Sequence, residues 1–212
     1  MDKKLLVFDF DGTIADTLSV ALLIVNEIGE KLEWPAVDKE EFIELKRKTI
    51  PELLKIANLN VSQLPGVLRK ARRSFKQHLQ DVKPIEGMPE VIVELKQRGY
   101  RMGILTSNSK PNVQRFLKQH QLGHFEFIYA PSSLFGKAPV LQKIMRRRKF
   151  DASELVMIGD EQRDMAAAQE AGIDGIGVTW GFHTPVQLET SAPAHILNRP
   201  EELLTLFQAP VV

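Results

Sequence analysis

Residues 5–13 read LLVFDFDGT, and this stretch decides the fold. Its first four residues are all apolar and run into two acids and Gly12, which is typical of a central β-strand buried on both faces. Similar runs follow at residues 101–106, 126–130, 154–158 and 174–179, with a short sixth candidate at 195–197. Helix-like segments separate the runs. The sequence therefore predicts βαβ units, that is, an α/β fold with a parallel sheet and helices on both faces.

The interval from Thr17 to Val82 breaks this alternation. It contains only amphipathic segments, near residues 17–33, 39–48, 51–58 and 66–80, and prolines bound them at Pro35, Pro51, Pro65 and Pro84. We therefore predict a catalytic core of residues 1–16 and 83–212, interrupted by a helical insertion of residues 17–82.

Composition excludes several classes of protein. The 212 residues are 43% hydrophobic and 26% charged, with a net charge of +1 and no cysteine. Such a chain has no global field for nucleic acid or an anionic membrane, and no disulfide or thiolate zinc site. The five histidines show no HExxH spacing, and the first apolar run is too short for a signal peptide or a membrane span. We expect a cytoplasmic protein without nucleic-acid or membrane partners.

Acidic residues follow two of the predicted strands. Asp9 and Asp11 come after the first, and alternation along an extended segment points both carboxylates the same way. Asp160, Glu161 and Asp164 come after the fourth. Because the carboxyl ends of parallel strands share one crevice, these acids form an oxygen-rich site that suits Mg²⁺. The alternative is an Asp-Gly turn at the first strand and helix caps at the second.

Hydrogen-bond donors follow two further strands. Residues 106–109 (TSNS) supply hydroxyl and amide groups before a predicted helix, a pattern that suits a phosphate group or, alternatively, a turn with an N-cap. Lys137 precedes the next helix, and a single loop lysine by itself indicates only a solvated charge.

The order of these motifs is informative as a set. An acid pair, a hydroxyl donor, a lysine and an acid cluster each follow a different predicted strand, and this order closely resembles the haloacid dehalogenase-like hydrolase superfamily. The pairing of DFDGT with GDEQRD carries most of the resemblance, and the helical insertion places the chain near the phosphoglycolate phosphatase-like branch with a helical cap. The resemblance implies a Rossmann-like core and a magnesium-dependent phosphatase.

The resemblance also implies roles for individual residues. Asp9 would attack phosphorus, and Asp11 would protonate the leaving group and then activate water. Mg²⁺ would be held by Asp9, the Asp11 carbonyl and Asp160. Ser107 and Asn108 would bind the phosphoryl oxygens, and Lys137 would supply a positive charge for catalysis. The residues that would support the site are Thr13, Glu161 and Asp164.

Two other functions remain open at this point. One is a phosphoglucomutase-like phosphoryl transferase, and the other is a non-enzymatic phospho-acceptor or binding module. The expected partner is a small phosphorylated metabolite, and the expected assembly is a monomer or homodimer. In capped relatives the turn after the second cap helix reaches toward the substrate, so Lys46 and Arg47 are candidates to contact an anionic leaving group, with solvent exposure as the alternative. Residues 180–182 (WGF) follow the fifth predicted strand and are candidates for a wall near the mouth of the site, although packing in the core or at the rim is the favoured role.

Overall fold

The computed structural model describes residues 3–46, 48, 50–78, 80–131 and 136–208. The chain divides into two compact units. Residues 1–16 and 83–212 form one, which we call the core unit, and residues 17–82 form the other, the helical unit. In the described ranges, no helix is long and apolar enough to cross a membrane.

The helical unit consists of α1 (Thr17–Glu30), α2 (Lys39–Lys46), α3 (Ile50–Ile56) and α4 (Leu64–His78). A short 3₁₀ helix, Val61–Gln63, precedes α4. The Asn26 side chain of α1 binds the backbone of Val37, in the segment before α2. Its Nδ2 donates to Val37 O and its Oδ1 accepts from Val37 N, both at 2.9 Å. Helix α1 also packs against α4. All four helices lie close to the amphipathic segments that the sequence predicts.

The core unit is built on one six-stranded sheet. Its strands are β1 (Leu5–Phe8), β2 (Arg101–Leu105), β3 (Ile128–Tyr129), β4 (Leu155–Gly159), β5 (Asp174–Val178) and β6 (His195–Leu197). Their order across the sheet is β3-β2-β1-β4-β5-β6, and every neighbouring pair is parallel. The predicted Rossmann-like parallel sheet is confirmed. Strand β3 is shorter than the predicted 126–130, as it lies at an edge with β2 as its single neighbour.

In the described part of the core unit, the helices between the strands are α5 (Met88–Gln97), α6 (Lys110–Gln119), α7 (Ala138–Arg148), α8 (Gln162–Ala171) and α9 (Pro185–Glu189), and α10 (Glu202–Leu206) follows β6. Helix α8 ends at Gly172, whose φ of 74° is the left-handed geometry that the sequence leads us to expect there. The apolar pattern of the sequence predicts this helix over residues 165–171, with its end marked by Gly172, and α8 begins three residues earlier. The reason is that the Asp164 side chain accepts a hydrogen bond from the backbone N–H of Glu161 and so stabilises an additional first turn.

Strand β1 lies in the middle of the sheet and is buried on both faces. All four of its residues have no exposed surface. Leu5 and Val7 belong to a hydrophobic cluster with Leu141 of α7 and Ala168 of α8. The sheet order reverses between β1 and β4, and in open α/β sheets the crevice at such a switch point, beyond the carboxyl ends of the strands, is where ligands bind.

Candidate active site

Asp9 follows directly after β1 at this switch point. Its backbone N–H donates to Ile158 O of β4 at 2.8 Å, and the residue is 1% exposed. The next side chain, Phe10, is buried and packs edge-on against Phe116, with ring centroids 5.0 Å apart. The alternation of side chains therefore directs Asp9 away from this aromatic pair and toward the crevice.

Lys137 lies immediately before α7 and reaches into the same crevice. Its Nζ is 2.8 Å from Asp9 Oδ1 and 2.6 Å from Asp164 Oδ1, and the side chain is 8% exposed. Burial acts to lower the pKa of Lys137, but the Asp9 and Asp164 carboxylates outweigh this effect and raise the pKa above its ordinary value. The ammonium group is therefore charged at neutral pH and links two acids that follow different strands.

Asp160 is held on both of its carboxylate oxygens. Thr13 Oγ1 donates to Oδ1 at 2.8 Å, and the backbone N–H of Phe182 donates to Oδ2 at 2.8 Å. Asp160 is fully buried. This burial, together with the negative charges of Asp9 and Asp164, raises the pKa of Asp160 well above its ordinary value.

Asp9, Asp160 and Asp164 form a carboxylate cluster whose ligand oxygens all lie within 4.8 Å of one another. Asp9 Oδ1 is buried and faces the Lys137 ammonium group at 2.8 Å. Burial, and then the Asp164 carboxylate, raise the pKa of Asp9 to about 6, although Lys137 opposes the shift. Three carboxylates around one ammonium leave an excess of negative charge. A small oxygen-binding cation such as Mg²⁺ fits this donor set.

Asp11 is not part of this cluster. Its carboxylate accepts a hydrogen bond from Asn108 Nδ2 at 3.0 Å, across 97 positions of sequence. The two acids of the first motif thus have different environments, one against Lys137 and the other against an amide. A metal-ligand role for Asp11 would fall to its carbonyl, and that role stays a prediction.

Residues 106–109 form the turn with an N-cap that is one of the two alternatives left open by the sequence, and phosphate binding there stays a prediction. Thr106 Oγ1 accepts from the backbone N–H of Asn108 at 2.9 Å, which makes the turn. Ser109 is the N-cap of α6 and accepts from Asn112 N. Ser107 is exposed and lines a cavity of about 280 Å³ together with Lys137. The cap and the candidate phosphate donor are therefore different residues of one segment.

Glu161 and Arg163 flank the cluster. Arg163 Nε lies 2.9 Å from Glu161 Oε2, and Arg163 is among the residues that line the cavity with Ser107 and Lys137. Glu161 is the N-cap residue of α8. The helix-cap alternative for the acid motif, which concerned Asp160 or Asp164, thus applies to Asp164, whose side chain accepts the Glu161 N–H, whereas Asp160 lies before the helix.

The hydrogen bonds that the loop after β5 makes to the site could not be predicted from the sequence. Packing at the rim or core was the expected role of residues 180–182, and Phe182 is buried. In addition, the Phe182 amide binds Asp160, and Trp180 Nε1 donates to Thr13 O at 3.1 Å. The sequence feature that could have indicated these contacts is a glycine between two aromatic residues directly after a predicted strand.

The two residues of the helical unit that are predicted to contact substrate are Lys46 and Arg47. Arg47 lies outside the described residues, and the description of Lys46 does not extend to its side chain. Their predicted contact with a leaving group is untested.

Comparison with known proteins identifies the family. The model of haloacid dehalogenase-like hydrolases matches residues 6–178, which include Asp9, Lys137 and the acid cluster. The chain belongs to this family. It is 28% identical over 200 residues to a phosphoglycolate phosphatase from Synechococcus elongatus, with 94% of each chain covered. It is 26% identical over 215 residues to a pyrophosphatase from Bacillus anthracis, covering 98% of this chain and 97% of the relative.

The comparison with solved structures shows the same fold. A haloacid dehalogenase-like hydrolase from Streptococcus pneumoniae superposes with a TM-score of 0.82 at 24% identity, over 98% of this chain and 99% of that one. Family membership along most of the chain, together with relatives that are phosphatases, makes this protein a phosphohydrolase.

Proposed function

We propose that the protein hydrolyses a small phosphomonoester with the help of Mg²⁺, through a covalent phosphate on Asp9. The observation that carries this proposal is the burial of Asp9 between Lys137 and the Asp160 and Asp164 carboxylates. A carboxylate attacks a phosphate dianion only where positive charge offsets their repulsion. Lys137 provides one such charge. Mg²⁺, held by Asp9, Asp160 and the Asp11 carbonyl and supported by Asp164, would supply the rest and lower the pKa of the carboxylates.

In the first step, one carboxylate oxygen of Asp9 forms a bond to phosphorus while the bond to the leaving alkoxide breaks. Asp11 gives its proton to that alkoxide. In the second step, Asp11 takes a proton from water as the water oxygen bonds to phosphorus and the bond between phosphorus and the Asp9 oxygen breaks, which releases inorganic phosphate and restores the Asp9 carboxylate. The hydrogen bond from Asn108 holds the Asp11 carboxyl outside the carboxylate cluster. This separation supports the division of roles between the two acids.

Lys137, Ser107 and Asn108 are the groups that we assign to the phosphoryl oxygens. Ser107 and Lys137 line one cavity, although they come from segments after different strands. Developing charge on equatorial oxygens is best stabilised by donors fixed before the reaction, and Lys137 is fixed by its two ion pairs. Thr13 and Glu161 are assigned to support of the site.

The helical unit is proposed to act as a cap that selects the leaving group. Its insertion follows directly on the Asp9–Thr13 segment, since the chain leaves the core unit after Asp16 and returns at Lys83. The relatives named above act on phosphoglycolate and on pyrophosphate, so we propose a small substrate with a second anionic group. Lys46 and Arg47 remain candidates to bind that group. We further propose a cytoplasmic monomer or homodimer.

The test measures phosphate release from 2-phosphoglycolate, pyrophosphate, glucose 1-phosphate and p-nitrophenyl phosphate, with Mg²⁺ or with excess chelator. We expect turnover of at least one anionic substrate that requires Mg²⁺. Asp9→Asn keeps the shape of the side chain, removes the attacking charge and is expected to abolish turnover and covalent labelling by ³²P-substrate. Near wild-type turnover in Asp9→Asn would rule out the covalent step.

A further inference from the structure

The loop after β5 makes direct contact with Asp160. We call residues 180–183 the clamp loop. The Phe182 N–H donates to Asp160 Oδ2 at 2.8 Å, and the His183 N–H donates to Asp160 O at 3.2 Å. Two successive amides of the clamp loop therefore hold both the side chain and the backbone of Asp160.

The Asp160 carboxylate is also enclosed by two glycines. A Cβ atom added at Gly181 would lie 2.3 Å from Asp160 Oδ2, and one added at Gly12 would lie equally close to the same oxygen. No side chain tolerates such a distance, so both backbones approach the carboxylate as only glycine permits. With Asp160 fully buried, this enclosure leaves its carboxylate no room to rotate.

His183 anchors the clamp loop to α8. Its Nδ1 accepts a hydrogen bond from the backbone N–H of Gln162, the first residue of α8, at 3.0 Å. The first N–H groups of a helix have no partner within the helix, and the imidazole satisfies one of them. Since Asp160 lies two residues before α8, this bond fixes the clamp loop to the segment that carries the carboxylate.

Thr13 holds Asp160 from the opposite side. Its hydroxyl donates to Asp160 Oδ1 at 2.8 Å, and its carbonyl accepts from Trp180 Nε1 at 3.1 Å. The clamp loop thus supports Asp160 directly and also supports the residue that binds the other carboxylate oxygen.

We propose that Thr13 and His183 are positioning residues that set the Asp160 carboxylate in the orientation needed to bind Mg²⁺. The inference rests on the proposed function, in which Asp160 is a metal ligand. Mg²⁺ demands near-octahedral geometry with short, fixed distances, so a carboxylate that is free to rotate is a poorer ligand. Removal of a partner that orients a ligand typically lowers metal affinity about 10-fold to 100-fold.

The test compares His183→Leu with His183→Asn in the full chain. Leucine removes the acceptor for the Gln162 N–H, whereas the side-chain oxygen of asparagine can accept from the first turn of a helix. We expect His183→Leu to bind Mg²⁺ about 10-fold more weakly than wild type in isothermal titration calorimetry, and His183→Asn to stay within about 3-fold. At saturating Mg²⁺, the KM of His183→Leu for substrate should equal that of wild type.

A second readout is independent of turnover. The chain has two tryptophans, so a Trp34→Phe background leaves Trp180, next to Thr13, as the single tryptophan. The Mg²⁺ dependence of its fluorescence should shift in His183→Leu to the same extent as the calorimetric affinity. If His183→Leu does not fold, Thr13→Val and its rescue Thr13→Ser give the corresponding comparison at Asp160 Oδ1.

The outcomes separate the two proposals. Absence of Mg²⁺ binding in the wild-type protein would overturn the proposed function itself. Wild-type Mg²⁺ binding with equal affinity in His183→Leu, even alongside a lower melting temperature, would show that the clamp loop only stabilises the fold and would overturn this inference. Weaker binding in His183→Leu with recovery in His183→Asn supports it.

Discussion

Replacement of Lys137 by methionine tests the electrostatic balance of the site most directly. Methionine keeps an unbranched side chain and removes the ammonium group that lies 2.8 Å from Asp9 and 2.6 Å from Asp164. At an effective dielectric constant of about 20, each contact corresponds to roughly 6 kcal/mol of Coulomb energy before desolvation is subtracted. Loss of one partner from a buried ion pair costs about 3–5 kcal/mol in practice. Because the acids can relieve part of this cost by binding a proton, we expect a loss of about 3 kcal/mol at pH 7.5.

The assay is urea unfolding followed by circular dichroism, in the presence of chelator, for a double-mutant cycle. Asp164→Asn removes one of the two carboxylates, so the double variant Lys137→Met/Asp164→Asn should recover about 2 kcal/mol relative to the sum of the single changes. Turnover should not recover, and kcat should fall at least about 10²-fold in both variants that lack Lys137, since a fixed charge near the transition state is lost. Lys143→Met changes an exposed lysine of α7, the helix that follows Lys137, and serves as the control.

Two results would refute this reasoning. One is a loss below about 1 kcal/mol in Lys137→Met, which would show that the ion pairs contribute little. The other is strict additivity in the cycle, which would show that Lys137 and Asp164 do not interact. Normal turnover in Lys137→Met would in addition remove Lys137 from the mechanism.

Three further predictions concern catalysis, the metal and pH. Asp11→Asn should slow hydrolysis of alkyl phosphates far more than that of p-nitrophenyl phosphate, whose leaving group needs little protonation; equal losses would mean that Asp11 mainly shapes the site. Replacement of Mg²⁺ by Ca²⁺ should lower kcat without loss of substrate binding, because the larger shell of Ca²⁺ disturbs alignment, and unchanged kcat would contradict the ligand assignment. In the helical unit, the hydrogen bonds of His78 to Glu27 and then to Asp81 raise the pKa of the imidazole. The contribution of His78 to the stability of the fold is therefore complete below the ordinary histidine pKa, and it is lost as the pH rises through the raised pKa. The difference in melting temperature between wild type and His78→Gln should therefore shrink between pH 6 and pH 9, and a constant difference would contradict the ion pairs.

The sequence alone was sufficient for the elements that depend on local pattern. The uninterrupted apolar run Leu5–Phe8 is fully buried as the first strand, because a strand covered on both faces cannot accommodate a polar residue. The acids and donors after the strands could be placed at one crevice before any contact was known, since the carboxyl ends of parallel strands share one edge of the sheet. Helix ends marked by a glycine, such as the end of α8 at Gly172, were also predictable.

Only the tertiary structure decided which residues of the site contact one another. Thr13 and Asp160 are 147 positions apart, Lys137 reaches Asp9 and Asp164 from a third segment, and residues 180–183 hold Asp160 from a fourth. No local periodicity encodes such pairs, because each depends on the geometry of a sheet that brings distant strand ends together. The start of α8 at Gln162 also depends partly on a distant residue. One carboxylate oxygen of Asp164 accepts the Glu161 N–H in the first turn of α8, while Lys137 binds the other oxygen. Sequence pattern thus determined which side chains line the crevice, and packing of the sheet determined which of them touch.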